Sequence, residues 1–223
     1  MSTDADKHAA ALAALADVRP GMLVGLGTGS TAAFAIAALG AQVRAGLRIT
    51  SVATSRATEA LARDHGIRVL PFDDVPQVDL TIDGVDEIDP DLRAIKGGGG
   101  AMLREKIVAA ASTRMIAIAD GSKRVTRLGR GPVPVEVLPF ARSWVLRALG
   151  DLGARPAVRA ARSDQDNLLI DADFGPIADP AALAATLAAI PGLVGHGLFL
   201  GEIDRLLIAD AGVVSAHDRV KTA

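Results

Sequence analysis

Short apolar runs alternate with alanine-rich helical stretches from Met22 to Ala119, and each run ends in a polar or glycine-rich loop. That alternation predicts an α/β fold, a Rossmann-like parallel sheet with helices on both faces. After Arg130 the order of elements becomes β-α-β-β-α-β, which predicts a small ferredoxin-like α+β domain. The change in texture puts the α/β catalytic domain at residues 1–130 and 205–223. It leaves 131–204 as a small α+β domain, a lid or an assembly surface.

Residues 4–17 carry alanine and leucine at helical spacing, and Pro20-Gly21 closes that helix. Met22–Leu26 is a short apolar run suited to a buried parallel strand. The turn Gly27-Thr28-Gly29-Ser30-Thr31 follows, then a helix to about Leu39. The pattern predicts a strand at Ile49–Val52, a helix at 57–65, and strands at Ile67–Leu70 and Val78–Ile82. A helix after Gly100 and a strand at Met115–Ala119 complete the first part. In the second part it predicts strand Val133–Val137, helix 141–152, strands Ala157–Ala160 and Leu168–Ala172, helix 180–189 and strand Leu193–Leu200. Arg205–Ala209 and the tail are expected to return to the main sheet. Thr28–Thr31, Ser55–Thr58, Asp83–Asp86 and Lys123 all follow predicted strands, so they fall on the rim where parallel sheets bind ligands.

The hydroxyl-rich turn after the first strand suits a phosphate. Residues 25–30 read G-x-G-x-G-S, so the third glycine of a dinucleotide fingerprint is missing, as is the acidic residue expected on the ribose. Arg56 could meet a 2′-phosphate, but a small phosphorylated polyol fits these loops better than a nicotinamide cofactor.

Aromatic residues are only 3% of the 223, so the core must be built from alanine, valine, leucine and isoleucine. The absence of cysteine excludes disulfides and thiolate chemistry. His8, His65, His196 and His217 are scattered, which suggests no metal site. A formal net charge of −2 gives no basic field to recruit nucleic acid or an anionic membrane. The charge-free stretches 20–43 and 180–201 are broken by glycine or proline and rich in alanine, so they read as buried elements rather than membrane spans. The charged N-terminus is unlike a signal peptide, and a cytoplasmic location is expected.

The chemistry is concentrated in residues 83–106, DGVDEIDPDLRAIKGGGGAMLREK. Successive glycine N–H groups can form a nest for an anion, and a helix starting there adds its positive end. Lys96 at the mouth of the run reinforces a site for a phosphate or an oxyanion. Glu105, about one turn into the helix, is placed for proton work on whatever the nest holds. A solvated glycine loop before a surface helix is the plain alternative, which the four consecutive glycines and the neighbouring aspartates make the weaker one.

GLGTGSTAA, DGVDEID, KGGGGAMLREKIVA, ADGSK and PVEVLPFARS resemble, in order and spacing, the type A ribose-5-phosphate isomerases, from about Pro20 to the C-terminus. The resemblance implies interconversion of ribose 5-phosphate and ribulose 5-phosphate in the pentose phosphate pathway, without metal or other cofactor, by a homodimer or homotetramer. It implies Glu105 as the base between C1 and C2. Asp83, Gly84, Val85, Asp86 and Lys96 with Gly97, Gly98 and Gly99 would line the sugar end. Thr28, Gly29, Ser30, Thr31 and Lys123 would contact the substrate as well. The chain departs from the pattern at Leu103 and at the charged loop around Arg56.

The same residues fit the chemistry. An aldose–ketose isomerase needs a base for a carbon acid, donors for the enediolate oxygen and an anchor for the phosphate. Ring opening needs one more acid–base group, for which Asp83 is preferred over Asp86. A non-catalytic sugar-phosphate sensor on the same fold is the alternative; such a regulator needs a basic DNA-binding segment, for which the chain has no spare residues. A coenzyme A transferase relative is a third possibility.

Overall fold

The computed structural model describes residues 3–220. In chain order its elements are α1 (Thr3–Ala14), β1 (Leu23–Leu26), α2 (Ser30–Arg44), β2 (Thr50–Ala53), α3 (Arg56–Asp64), β3 (Leu80–Gly84), β4 (Glu87–Ile88), β5 (Ala94–Ile95), α4 (Met102–Ala110) and β6 (Met115–Asp120). There follow β7 (Val133–Val137), α5 (Arg142–Asp151), β8 (Arg155–Arg162), β9 (Leu168–Asp173), α6 (Pro180–Ala188), β10 (Leu193–His196), β11 (Leu198–Phe199), β12 (Arg205–Asp210) and β13 (Val213–Asp218). No helix among the described residues is long and apolar enough to cross a membrane.

Two compact units divide the chain. The first takes the described parts of Met1–Val85, Ile107–Lys123 and Gly201–Ala223. Its sheet has the order β13-β12-β6-β3-β1-β2, parallel throughout except for β13, which pairs antiparallel with β12 at one edge. Alternate residues of β1 face opposite ways. Val24 and Leu26 join a core with Ala10, Ala11 and Ala14 of α1 and Ala35, Ile36 and Leu39 of α2. Alanine lets these helices lie close to the sheet, so the core closes with few aromatics. Gly25 faces the other way, where an added Cβ would sit 2.9 Å from Val108 of α4. The sheet is thus covered on both faces. After β1 the chain goes to β2 on one side and then to β3 on the other, so the switch point lies at the carboxyl ends of β1 and β3.

The second unit takes Asp86–Lys106 and Arg124–Leu200. Its four strands are antiparallel in the order β10-β7-β9-β8, with α5 and α6 between them in sequence, as a ferredoxin-like module requires. Val133, Val135 and Val137 alternate inward against Val145 and Leu149 of α5 and Leu187 of α6. A smaller sheet, β11-β5-β4, completes it.

The expected boundary at residue 130 differs from this division. Residues 86–106 lie in the second unit because Ala94 and Ile95 pair with Leu198 and Phe199. Glu87 also accepts N–H bonds from Gly129 at 2.9 Å and from Gly131, which draws 124–130 into the same unit. Asp204 instead accepts the Met115 N–H at 2.8 Å in the first unit. Two expected strands also differ. Ile67–Leu70 makes only the isolated bridge Ser51–Val69, since Pro71 ends the run and has no N–H to continue it. Leu193–Leu200 breaks at Gly197, whose N–H reaches Pro134 O at 2.7 Å while its carbonyl takes the Lys96 N–H at 2.9 Å. The chain there leaves β7 for β5, and a Cβ on Gly197 would lie 2.2 Å from Lys96 O.

Candidate active site

In the first unit the turn after β1 is built against β3. Asp83 is wholly buried, and its Oδ1 accepts the N–H groups of Thr28 at 3.1 Å and of Gly84 at 2.7 Å. Position 27 must be glycine for this approach, because a Cβ there would lie 2.1 Å from Asp83 Oδ1. The Thr28 hydroxyl donates to Ser55 Oγ at 2.9 Å and lies within 2.8 and 3.0 Å of the Thr54 and Thr58 hydroxyls. Thr58 in turn donates to Gly27 O at 2.9 Å. The Thr28 hydroxyl is therefore committed to holding the turn together. Gly29 caps α2, and Gly29 and Ser30 are exposed while Thr31 is buried. Val85 is buried at the end of this unit, and Lys123 is half-buried in the turn after β6. Thr28, Thr31, Asp83 and Gly84 are brought together here.

In the second unit Lys96 follows β5 and is only 2% exposed, with Nζ 3.4 Å from Oε2 of Glu105, itself 4% exposed. Lys96 Nζ also lies 5.4 Å from the centre of the Phe199 ring. The glycine run turns back through a bond from the Gly100 N–H to Gly97 O at 3.0 Å. Gly97 has φ +104°, and a Cβ on it would sit 2.6 Å from Met102 Cβ, so the turn and the first residue of α4 fit only without a side chain. Asp86 Oδ2 accepts the Gly98 N–H at 2.8 Å. Glu105 lies in the first turn of α4, the positive end of that helix. Here Asp86 meets Gly98 and Lys96 meets Glu105. The unit thus gathers a buried carboxylate, an ammonium and a glycine turn, the parts of a proton-transfer site with an oxyanion cradle.

The profile of the ribose 5-phosphate isomerase A (phosphoriboisomerase A) family matches residues 50–212. A relative from Sphingopyxis alaskensis named ribose-5-phosphate isomerase A is 53% identical over 220 residues, 96% of each chain. The chain belongs to the ribose 5-phosphate isomerase A family.

Solved members of the family have the same fold. A D-ribose-5-phosphate isomerase in complex with phospho-erythronic acid superposes with a TM-score of 0.95 at 34% identity, covering 98% of this chain and 100% of that one. The ribose 5-phosphate isomerase A of Methanocaldococcus jannaschii gives 0.92 at 35% identity, covering 97% and 100%.

Beside the expected residues stand three that sequence reasoning missed. Phe199 is fully buried and carries Lys96 and Lys106 against its ring. Arg159 of β8 donates from Nη1 to Gly97 O at 3.0 Å and Gly98 O at 3.1 Å. Asp171 of β9 grips the same guanidinium at both Nε and Nη2, at 2.9 and 2.6 Å. Nothing in the sequence singled out the arginine and the aspartate, because only the register of β8 on β9 brings them together.

Proposed function

We propose that the protein interconverts D-ribose 5-phosphate and D-ribulose 5-phosphate in the cytoplasm, with Glu105 carrying one proton between C2 and C1. The observation that carries this reading is the buried Lys96–Glu105 pair beside a glycine turn, in a chain of this family.

Asp83, anchored through one oxygen by two backbone N–H groups, serves ring opening. Glu105 then takes the C2 proton. The C2–H electrons form the C1=C2 double bond, and the carbonyl electrons pass to O1, giving an enediolate. A proton moves from O2 to O1, O2 becomes the carbonyl, and Glu105 returns its proton to C1. The Lys96 ammonium and the N–H groups of Gly97 and Gly99 stabilise the oxyanion, which is worth about 10²–10³-fold per donor in comparable sites. Asp86 holds the Gly98 amide and faces the sugar hydroxyls. Ser30, Thr31, the start of α2 and Lys123 anchor the phosphate, while Thr28 and Gly29 shape the turn and Gly84 and Val85 carry the chain past the sugar. Phospho-erythronic acid, bound in a solved relative, joins a phosphate to a planar anionic carboxylate, a fair likeness of an enediolate.

The test is to incubate the protein with ribose 5-phosphate in deuterated water. Formation of the ketose, with deuterium entering at the transferred position, is expected. Binding without turnover would favour a sensing domain instead.

Self-association belongs to the same reading. Phe140 is 103% exposed, flanked by Leu138 at 48% and Trp144 at 46%. So apolar a patch suits a symmetric contact with a second copy, giving a homodimer or homotetramer. Light scattering at micromolar concentration should exceed the 22.8 kDa monomer mass, and the monomer mass would refute it.

A further inference from the structure

We propose that Arg159 is a positioning residue for the isomerisation, fixing the peptide between Gly98 and Gly99 so that the Gly99 N–H serves the enediolate oxygen; this rests on the function proposed above. A run of four glycines has no side chains to select one conformation, so something outside it must. Asp171 takes the guanidinium at two atoms and so sets its plane. The remaining Nη1 then takes two successive carbonyls, Gly97 O and Gly98 O.

The direction of the donors follows from peptide planarity. The described residues contain no cis peptide bond, so each N–H points opposite to the carbonyl of the same peptide unit. Fixing Gly97 O turns the Gly98 N–H away from the guanidinium, where Asp86 takes it at 2.8 Å. Fixing Gly98 O in the same way turns the Gly99 N–H outward from Arg159. No acceptor among the described residues takes that N–H, and Gly99 is exposed. One ion pair thus spends its free arm on holding a backbone donor ready for an anion. A lysine does this only in part, since it lacks the fork that binds Asp171 while reaching two carbonyls.

The experiment compares Arg159→Ala, Arg159→Lys and Asp171→Asn with the wild type, well below their melting temperatures. Charge-assisted hydrogen bonds of this kind predict a loss in kcat of about 10- to 100-fold for Arg159→Ala. The KM for ribose 5-phosphate should change by less than about threefold, because the lost interaction acts on the transition state. Affinity for phospho-erythronic acid should fall in step with kcat/KM, inhibition by inorganic phosphate should stay constant, and added guanidinium should restore part of the turnover. Arg159→Lys and Asp171→Asn should show smaller losses of the same pattern, and they keep the test alive if the alanine variant does not fold. A folded variant with wild-type kcat overturns the proposal, as does a loss shared equally by kcat and phosphate affinity with no guanidinium rescue. Failure of the wild type to isomerise ribose 5-phosphate would overturn the underlying reading instead, before any variant is compared.

Discussion

Lys96 Nζ lies 3.4 Å from Glu105 Oε2, with both side chains sealed to within 4% of full burial. An isolated charge in so dry a place is costly, so each ionised group supports the other. Their backbones are fixed independently. Lys96 is tied by its N–H to Gly197 O at 2.9 Å, and Glu105 by its N–H to Ala101 O at 3.0 Å. The pair is therefore preorganised, as a proton-transfer site requires.

Lys96→Ala should accordingly affect binding, turnover and stability together. In the proposed mechanism loss of the ammonium removes an oxyanion donor, for which about 10²–10³-fold in kcat is expected. Affinity for phospho-erythronic acid should weaken too, since the proposed mechanism sets its carboxylate against the same charge. Removing one partner of a buried pair costs up to about 3–5 kcal/mol, readable as a lower Tm. An alanine variant with normal turnover would show that Lys96 has no electrostatic role in the reaction.

Glycine substitutions should separate by position. Gly97→Ala places a Cβ 2.6 Å from Met102 Cβ at φ +104° and should cost about 1–3 kcal/mol. It should also impair catalysis, because the residue adjoins Lys96. Gly150, within α5, has nothing within 4 Å of an added Cβ. Gly150→Ala should stabilise by up to about 1 kcal/mol with activity unchanged. Thermal melts of the two variants moving in the same direction would contradict this reading of the backbone.

The rim of the first unit could be read from the sequence because glycine, hydroxyl and carboxylate residues mark where each buried strand stops. Gly27–Thr31 and Asp83 stand out against Val24–Leu26 and Leu80–Ile82 for that reason. The two-residue strands Glu87–Ile88 and Ala94–Ile95 carry no periodicity, so their transfer of 86–106 to the second unit was not legible. Nor was Arg159, whose strand has the burial-poor sequence RPAVRAAR and whose partners are backbone carbonyls some 60 residues away, at separations of 62 and 61. A carbonyl leaves no mark in a sequence, and pairing with Asp171 depends on the register of β8 on β9.

Asp83→Asn tests ring opening. Ribose 5-phosphate closes through O4 into a furanose, whereas ribulose 5-phosphate has its O5 blocked by phosphate and stays open. The ratio of kcat/KM in the two directions is fixed by the overall equilibrium, so directional kinetics alone cannot isolate the step. Exchange can. In the variant, ribulose 5-phosphate should still exchange its C1 hydrogen with solvent near the wild-type rate, while saturated turnover of ribose 5-phosphate falls. The Asn side-chain oxygen can keep the N–H bonds from Thr28 and Gly84, so the fold should survive. Equal losses of exchange and turnover would remove Asp83 from ring opening and leave Asp86 as the candidate.

Glu105→Gln isolates proton transfer from everything else. Glutamine keeps the size and hydrogen-bonding reach of the side chain but cannot accept a proton from carbon. Removing a general base costs about 10²–10⁴-fold, and the figure should lie at the upper end where burial to 4% exposure keeps water from substituting. The phosphate anchor proposed at Ser30, Thr31 and Lys123 uses other residues, so KM and the inhibition by inorganic phosphate should hardly move. The Lys96 ammonium then faces a neutral partner, which strengthens its attraction for an anion; affinity for phospho-erythronic acid should hold or improve. Deuterium incorporation from solvent should vanish along with turnover, because exchange and isomerisation share the same proton. A Glu105→Gln protein that bound the inhibitor normally and still exchanged would keep the cradle in place and move the base to another residue.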